Sequence, residues 1–78
     1  MKIYIVSWDR KIGDGKYFYE DYFSDKDIAI DFAKKMRNKD LYNDITKVSV
    51  DEYNSYNGRF MFTSEVKHAL QNRQEENK

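Results

Sequence analysis

The sequence predicts an α+β domain: a small, mostly antiparallel sheet of about four strands, in the order β-β-α-β-β, covered by one amphipathic helix. Three observations carry this expectation. Residues 28–36 place apolar side chains at helical spacing, and four other segments are short runs rich in β-branched and aromatic residues. The runs are separated by turns that hold all three glycines. The chain has 78 residues, which is enough apolar surface for one core only. Residues 1–70 are therefore expected to form a single domain. Residues 71–78 lack apolar side chains and read as a disordered polar tail.

The first strand, Lys2 to Asp9, has Ile3 and Ile5 on one face and Tyr4, Val6 and Trp8 on the other. Apolar residues on both faces are expected of a central strand. Arg10 to Gly15 is a turn region, and Lys16 to Phe23 is an aromatic strand that returns as a hairpin. Ser24 is expected to cap the helix, with Asp27 three residues on and Phe23 and Ile28 spaced as a hydrophobic staple. Ile28, Ala29, Phe32, Ala33 and Met36 form the apolar stripe, and Asp31 and Lys35 make a favourable i, i+4 pair. The helix should end near Asn38.

Ile45 to Tyr53 alternates, with Thr46, Val48 and Val50 on one face and Ile45, Lys47, Ser49 and Asp51 on the other. Asn57-Gly58 is a hairpin signal, because both residues tolerate positive φ. Arg59 to Phe62 is the returning strand. Thr63 to Leu70 reads as a short helix capped by Ser64, with continuation of the strand through Lys67 as the alternative. Among the aromatics, Tyr4, Trp8, Phe18, Phe32, Phe60 and Phe62 are expected in the core. Tyr22, Tyr42, Tyr53 and Tyr56 are expected to be available to a partner.

Composition excludes several chemistries. There is no cysteine, so no disulfide, thiol nucleophile or thiolate metal site is available, and a reducing cytoplasm is the expected compartment. One histidine, His68, cannot build a histidine-based zinc site. Gly13-Asp14-Gly15 lacks the third glycine and following helix of a phosphate loop. No nucleophile, base and orienting group stand together, so no catalytic residue, metal or cofactor is expected. The apolar start ends at Ser7, too short for a signal peptide or a bilayer span, so no membrane association is expected.

Fourteen basic and fourteen acidic residues give a formal net charge of zero, but the distribution is uneven. Residues 17–33 hold five acids and one base, whereas residues 34–39 hold four bases and no acid. Acids first and bases last suit the helix dipole. The same acids, with tyrosine, suit recognition of a basic protein surface. Glu20, Asp21, Tyr22, Asp25, Asp27 and Asp31 are the candidate partner-binding residues on this surface, with Tyr53, Tyr56 and Asn57 at the second hairpin. The alternative is a binder of single-stranded nucleic acid that stacks bases on Tyr17 and Tyr19, with Lys16 and Arg59 facing phosphates. Against it stand the neighbouring acids and the absence of a basic excess.

The Met1-Lys-Ile-Tyr-Ile-Val6 opening, Tyr22-Phe-Ser-Asp-Lys-Asp27 leading into Ala29-Ile-x-Phe-Ala-Lys34, and Val48-x-Val-Asp-Glu-Tyr53 form a pattern. It resembles small β-β-α-β proteins common in bacteriophages and mobile elements of low-GC bacteria. The resemblance covers about residues 1–53 and implies a fold outline and a phage-like setting in a host cytoplasm, with no catalytic residues to carry over. The expected function is thus a non-enzymatic protein-binding module, of which an inhibitor of a host or defence enzyme is one concrete form. A homodimer through Arg59–Phe62 or an aromatic face is a further expectation.

Overall fold

A computed structural model describes residues 1–66. Its elements are β1 (Lys2–Ile12), β2 (Gly15–Phe23), α1 (Lys26–Met36), β3 (Ile45–Tyr56) and β4 (Arg59–Glu65). The strands form one antiparallel sheet in the order β2-β1-β3-β4, and α1 lies across one face. This is the expected α+β architecture, with doubly apolar β1 in a central position.

Both hairpins close through two residues. Gly13, at φ +60°, takes the first central position between Ile12 and Gly15, the place glycine occupies in a type II′ turn. Asn57 and Gly58, at φ +52° and +75°, form the type I′ turn between Tyr56 and Arg59. The primed turns match the twist of the strands, so β1 continues three residues beyond the expected Asp9 and β3 three beyond Tyr53.

The helix buries Ala29 and Ala33 against Tyr4 and Val6 of β1 and Val50 of β3, while Trp8, Phe23, Phe32 and Val48 pack around them. Two small residues let the helix sit close to the sheet. The aromatics then ring the contact: Phe32 meets Trp8 edge-on at 5.5 Å and Phe23 at 5.2 Å, and Tyr19 stacks on Trp8 at 5.8 Å.

Several sequence expectations need correction. The helix cap is Asp25, whose Oδ1 accepts the Ile28 N–H at 3.0 Å. A carboxylate at this place caps and also opposes the positive end of the helix, so it displaces Ser24 and the staple spacing with it. Ile28 accordingly turns outward and is exposed. Phe18, Phe60 and Phe62 are 65%, 55% and 60% exposed, because they stand on the sheet face that α1 does not cover. Ile45 is buried and Thr46 exposed, the reverse of simple alternation. A bulge shifts the β1–β3 register between Asp9 and Arg10, so Ile45 pairs with Arg10 and the parity of β3 changes there. Thr63, Ser64 and Glu65 extend β4, so Ser64 caps no helix; Lys67 to Leu70 of the expected helix, His68 and the 71–78 tail lie outside the described residues.

Candidate functional site: the open face of the sheet

Register and alternation sort every strand side chain to one of two faces. Tyr4, Val6 and Trp8 look toward the helix, so Ile3, Ile5, Ser7 and Asp9 look away from it. Cross-strand partners share a face. Ile5 stands opposite Tyr22 on β2 and Asp51 on β3, and Asp51 opposite Glu65 on β4. One row further, Ile3 stands opposite Tyr53 and Tyr53 opposite Phe62. In the other direction, Ser7 stands opposite Glu20 and Ser49, and Asp9 opposite Phe18 and Lys47.

The result is an aromatic and aliphatic band running across all four strands, bordered by carboxylates. Tyr53 and Phe62 meet edge-on at 5.6 Å. Tyr22 is 54% exposed, and its hydroxyl donates to Glu20 Oε1 at 3.2 Å. The Glu20 charge and that hydrogen bond, then desolvation and last Tyr53, raise the Tyr22 phenol from its usual range. Asp51 is also raised, first by partial burial and then by the charge of Glu65. Two like charges directly opposite one another across strands oppose folding, so this pair is a local cost that packing elsewhere offsets. Beside the band, Ser7 and Ser49 hydrogen-bond at 2.8 Å at the floor of a hollow of about 280 Å³ walled by Asp9, Phe18 and Lys47.

The candidate partner-binding residues divide among three places. Glu20, Tyr22 and Tyr53 come together on the open face, although Tyr53 is more than 30 residues from the other two in sequence. Asp21 shares the opposite face with Val6, and Asp25, Asp27 and Asp31 belong to the cap and helix on that side. The acidic run is thus split by the sheet, and Asp25 is engaged in capping. Tyr56 and Asn57 stand at the β3–β4 turn, where Asn57 serves the positive-φ position. Asp51 and Glu65 join the site without having been singled out, and Phe62, expected in the core, joins it too; the signal for Asp51 was that it shares strand parity with Tyr53.

The nucleic-acid set is dispersed. Tyr17 and Tyr19 lie on the helix side of β2, with Tyr19 stacked on Trp8. Lys16 is also on β2, where its Nζ lies 3.7 Å from Asp9 Oδ2. Arg59 is on β4, at the opposite edge of the sheet. Basic side chains gather elsewhere: Arg37, Lys39 and Lys47 border a concavity of about 470 Å³ between the end of α1 and the start of β3, and Lys39 Nζ donates to the Ile45 carbonyl at 2.8 Å.

Among the described residues, no group of three or more histidine, cysteine or acidic side chains could hold a metal ion, and no helix is long and apolar enough to cross a membrane. The fold and site define a small α+β domain in which, among the described residues, α1 covers one sheet face and leaves the other open. No protein-family model, curated protein or solved structure matches the chain.

Proposed function

We propose that the protein is a non-enzymatic binding module whose open sheet face takes a basic segment of another protein. The observation that supports this most is the meeting of Tyr22, Tyr53 and Phe62 with Glu20, Asp51 and Glu65 on the one face the helix leaves uncovered. Aromatic faces attract arginine and lysine, and flanking carboxylates add charge-assisted hydrogen bonds. An arginine between Asp51 and Glu65 would relieve their mutual repulsion, so part of the folding cost at this pair returns as binding free energy. Rigid tyrosine side chains on a sheet lose little freedom when a partner arrives.

Occluding a basic functional surface of an enzyme is the form of binding this chemistry suits, which keeps an inhibitory role, with the phage-like setting, as the specific reading. The test is affinity capture with the intact chain, comparing wild type with Tyr22→Ser/Asp51→Lys on the open face and Asp27→Lys/Asp31→Lys on the helix. A specific partner lost by the first variant and kept by the second supports the reading. Equal capture by all three, or loss with the helix variant alone, rejects the open face as the binding surface.

A further inference from the structure

The two outer strands of the sheet differ in how their edges are guarded. Edge strands are commonly protected from pairing with another chain by charged side chains. β2 carries Lys16, Glu20 and Asp21 along its length. β4 carries charge only at its ends, Arg59 and Glu65, with Phe60-Met61-Phe62-Thr63-Ser64 between them. All seven residues of β4 are exposed, and α1 packs on β1, β2 and β3 without reaching it.

The backbone of β4 points the same way. In a two-residue hairpin the residues flanking the turn, Tyr56 and Arg59, form a hydrogen-bonded pair. Alternation makes Asn54 and Met61 the next such pair. The Ser55 N–H agrees, since it turns to β1 and donates to the Met1 carbonyl at 2.7 Å. Phe60 and Phe62 therefore direct their N–H and C=O groups away from β3, toward the outer edge. Beyond Phe62 a bulge between Glu52 and Tyr53 shifts the register, which limits straight pairing to the stretch before it.

We propose that this edge pairs with a second copy of the chain, β4 antiparallel to β4, with Met61 opposite Met61 of the second copy and Phe60 opposite Phe62. The register is self-complementary. Phe60 and Phe62 present the outward backbone groups that an antiparallel hydrogen-bonded pair needs, and their rings share the open face, so each ring meets its counterpart. Met61 meets Met61 on the helix side. Arg59 falls opposite Thr63, so no like charges oppose each other. A two-fold axis perpendicular to the sheet relates the copies and joins the two open faces into one eight-stranded surface. A contact of one strand pair is small, so the dimer is a reversible one.

The absence of cysteine makes the test direct. Met61 lies at a non-hydrogen-bonded pair on the two-fold, where Cα atoms stand about 4.5 Å apart and a disulfide can close. Thr63 lies about 13 Å from its own counterpart in this register. The full chain carrying Met61→Cys should cross-link under mild oxidation several-fold more than the chain carrying Thr63→Cys. Sedimentation of the wild type should show a concentration-dependent dimer that Phe60→Lys, a substitution at an exposed site, abolishes without loss of folding. A wild type monomeric at every concentration, equal cross-linking at the two cysteines, or a dimer indifferent to Phe60→Lys overturns the proposal. Slow amide exchange at Phe60 and Phe62 in a monomer would also overturn it, by giving the edge to another segment of the same chain.

Discussion

Replacing Asp51 by asparagine should strengthen the fold and weaken its binding. Asp51 faces Glu65 across the β3–β4 ladder and is partly buried beside Ile5, and both circumstances raise its pKa. An acid whose folded pKa lies above its unfolded value binds more protons when folded. Stability therefore falls as pH rises from the ordinary aspartate range through the raised folded value, and the whole cost is present at neutral pH. Asparagine is neutral and nearly isosteric, so it removes the cost. A like-charge cross-strand pair opposes folding by roughly 0.2–1 kcal/mol. For a domain of this size, a gain of about 0.5 kcal/mol raises Tm by about 2–4 °C. Thermal unfolding of Asp51→Asn and wild type across acid to neutral pH is the assay. The gain should be full at neutral pH and vanish once Asp51 is protonated in both states. A loss of stability, or a gain independent of pH, would refute the reasoning about this pair.

Other consequences follow from the packing. Val6 is fully buried under Ala29 and Ala33, so Val6→Ala should cost about 2–3 kcal/mol, visible as a large fall in the urea midpoint with an unchanged slope. Asp25→Ala should cost about 1 kcal/mol through loss of the helix cap, whereas Ser24→Ala should be near neutral in the same unfolding assay. Gly58→Val places a β-branched residue at φ +75° and should destabilise by about 1–2 kcal/mol, with the hairpin amides of Tyr56 and Arg59 exchanging faster. Short single-stranded oligonucleotides should give no salt-dependent mobility shift, because two strands separate Arg59 on one edge of the sheet from Lys16, Tyr17 and Tyr19 on the other.

Local signals carried much of the fold. The stripe Ala29, Phe32 and Ala33 and the pair Asn57-Gly58 each have one physical solution, and the structure has it. The doubly apolar pattern of Lys2 to Asp9 placed β1 at the centre for the same reason. The misplacement of Ile45 comes from register, which depends on residues far apart in sequence. The bulge that returns Ile45 to the core arises from how β3 meets Asp9 and Arg10, and nothing local to Ile45 encodes it. Phe18, Phe60 and Phe62 read as core because aromatic residues usually are. Their exposure follows from α1 covering only one face of the four-stranded sheet. The candidate site was readable only in pieces: Tyr22 and Tyr53 belonged to separate clusters until strand order β2-β1-β3-β4 put both beside Ile3 and Ile5.

The most direct test of the account is the footprint of a bound partner. Backbone amide shifts of the labelled full chain, titrated with an arginine-rich segment of a captured partner, should move at Tyr22, Asp51, Tyr53 and Phe62 and stay still at Asp27 and Asp31. A footprint on the outer face of the helix, with the open face unchanged, would contradict it.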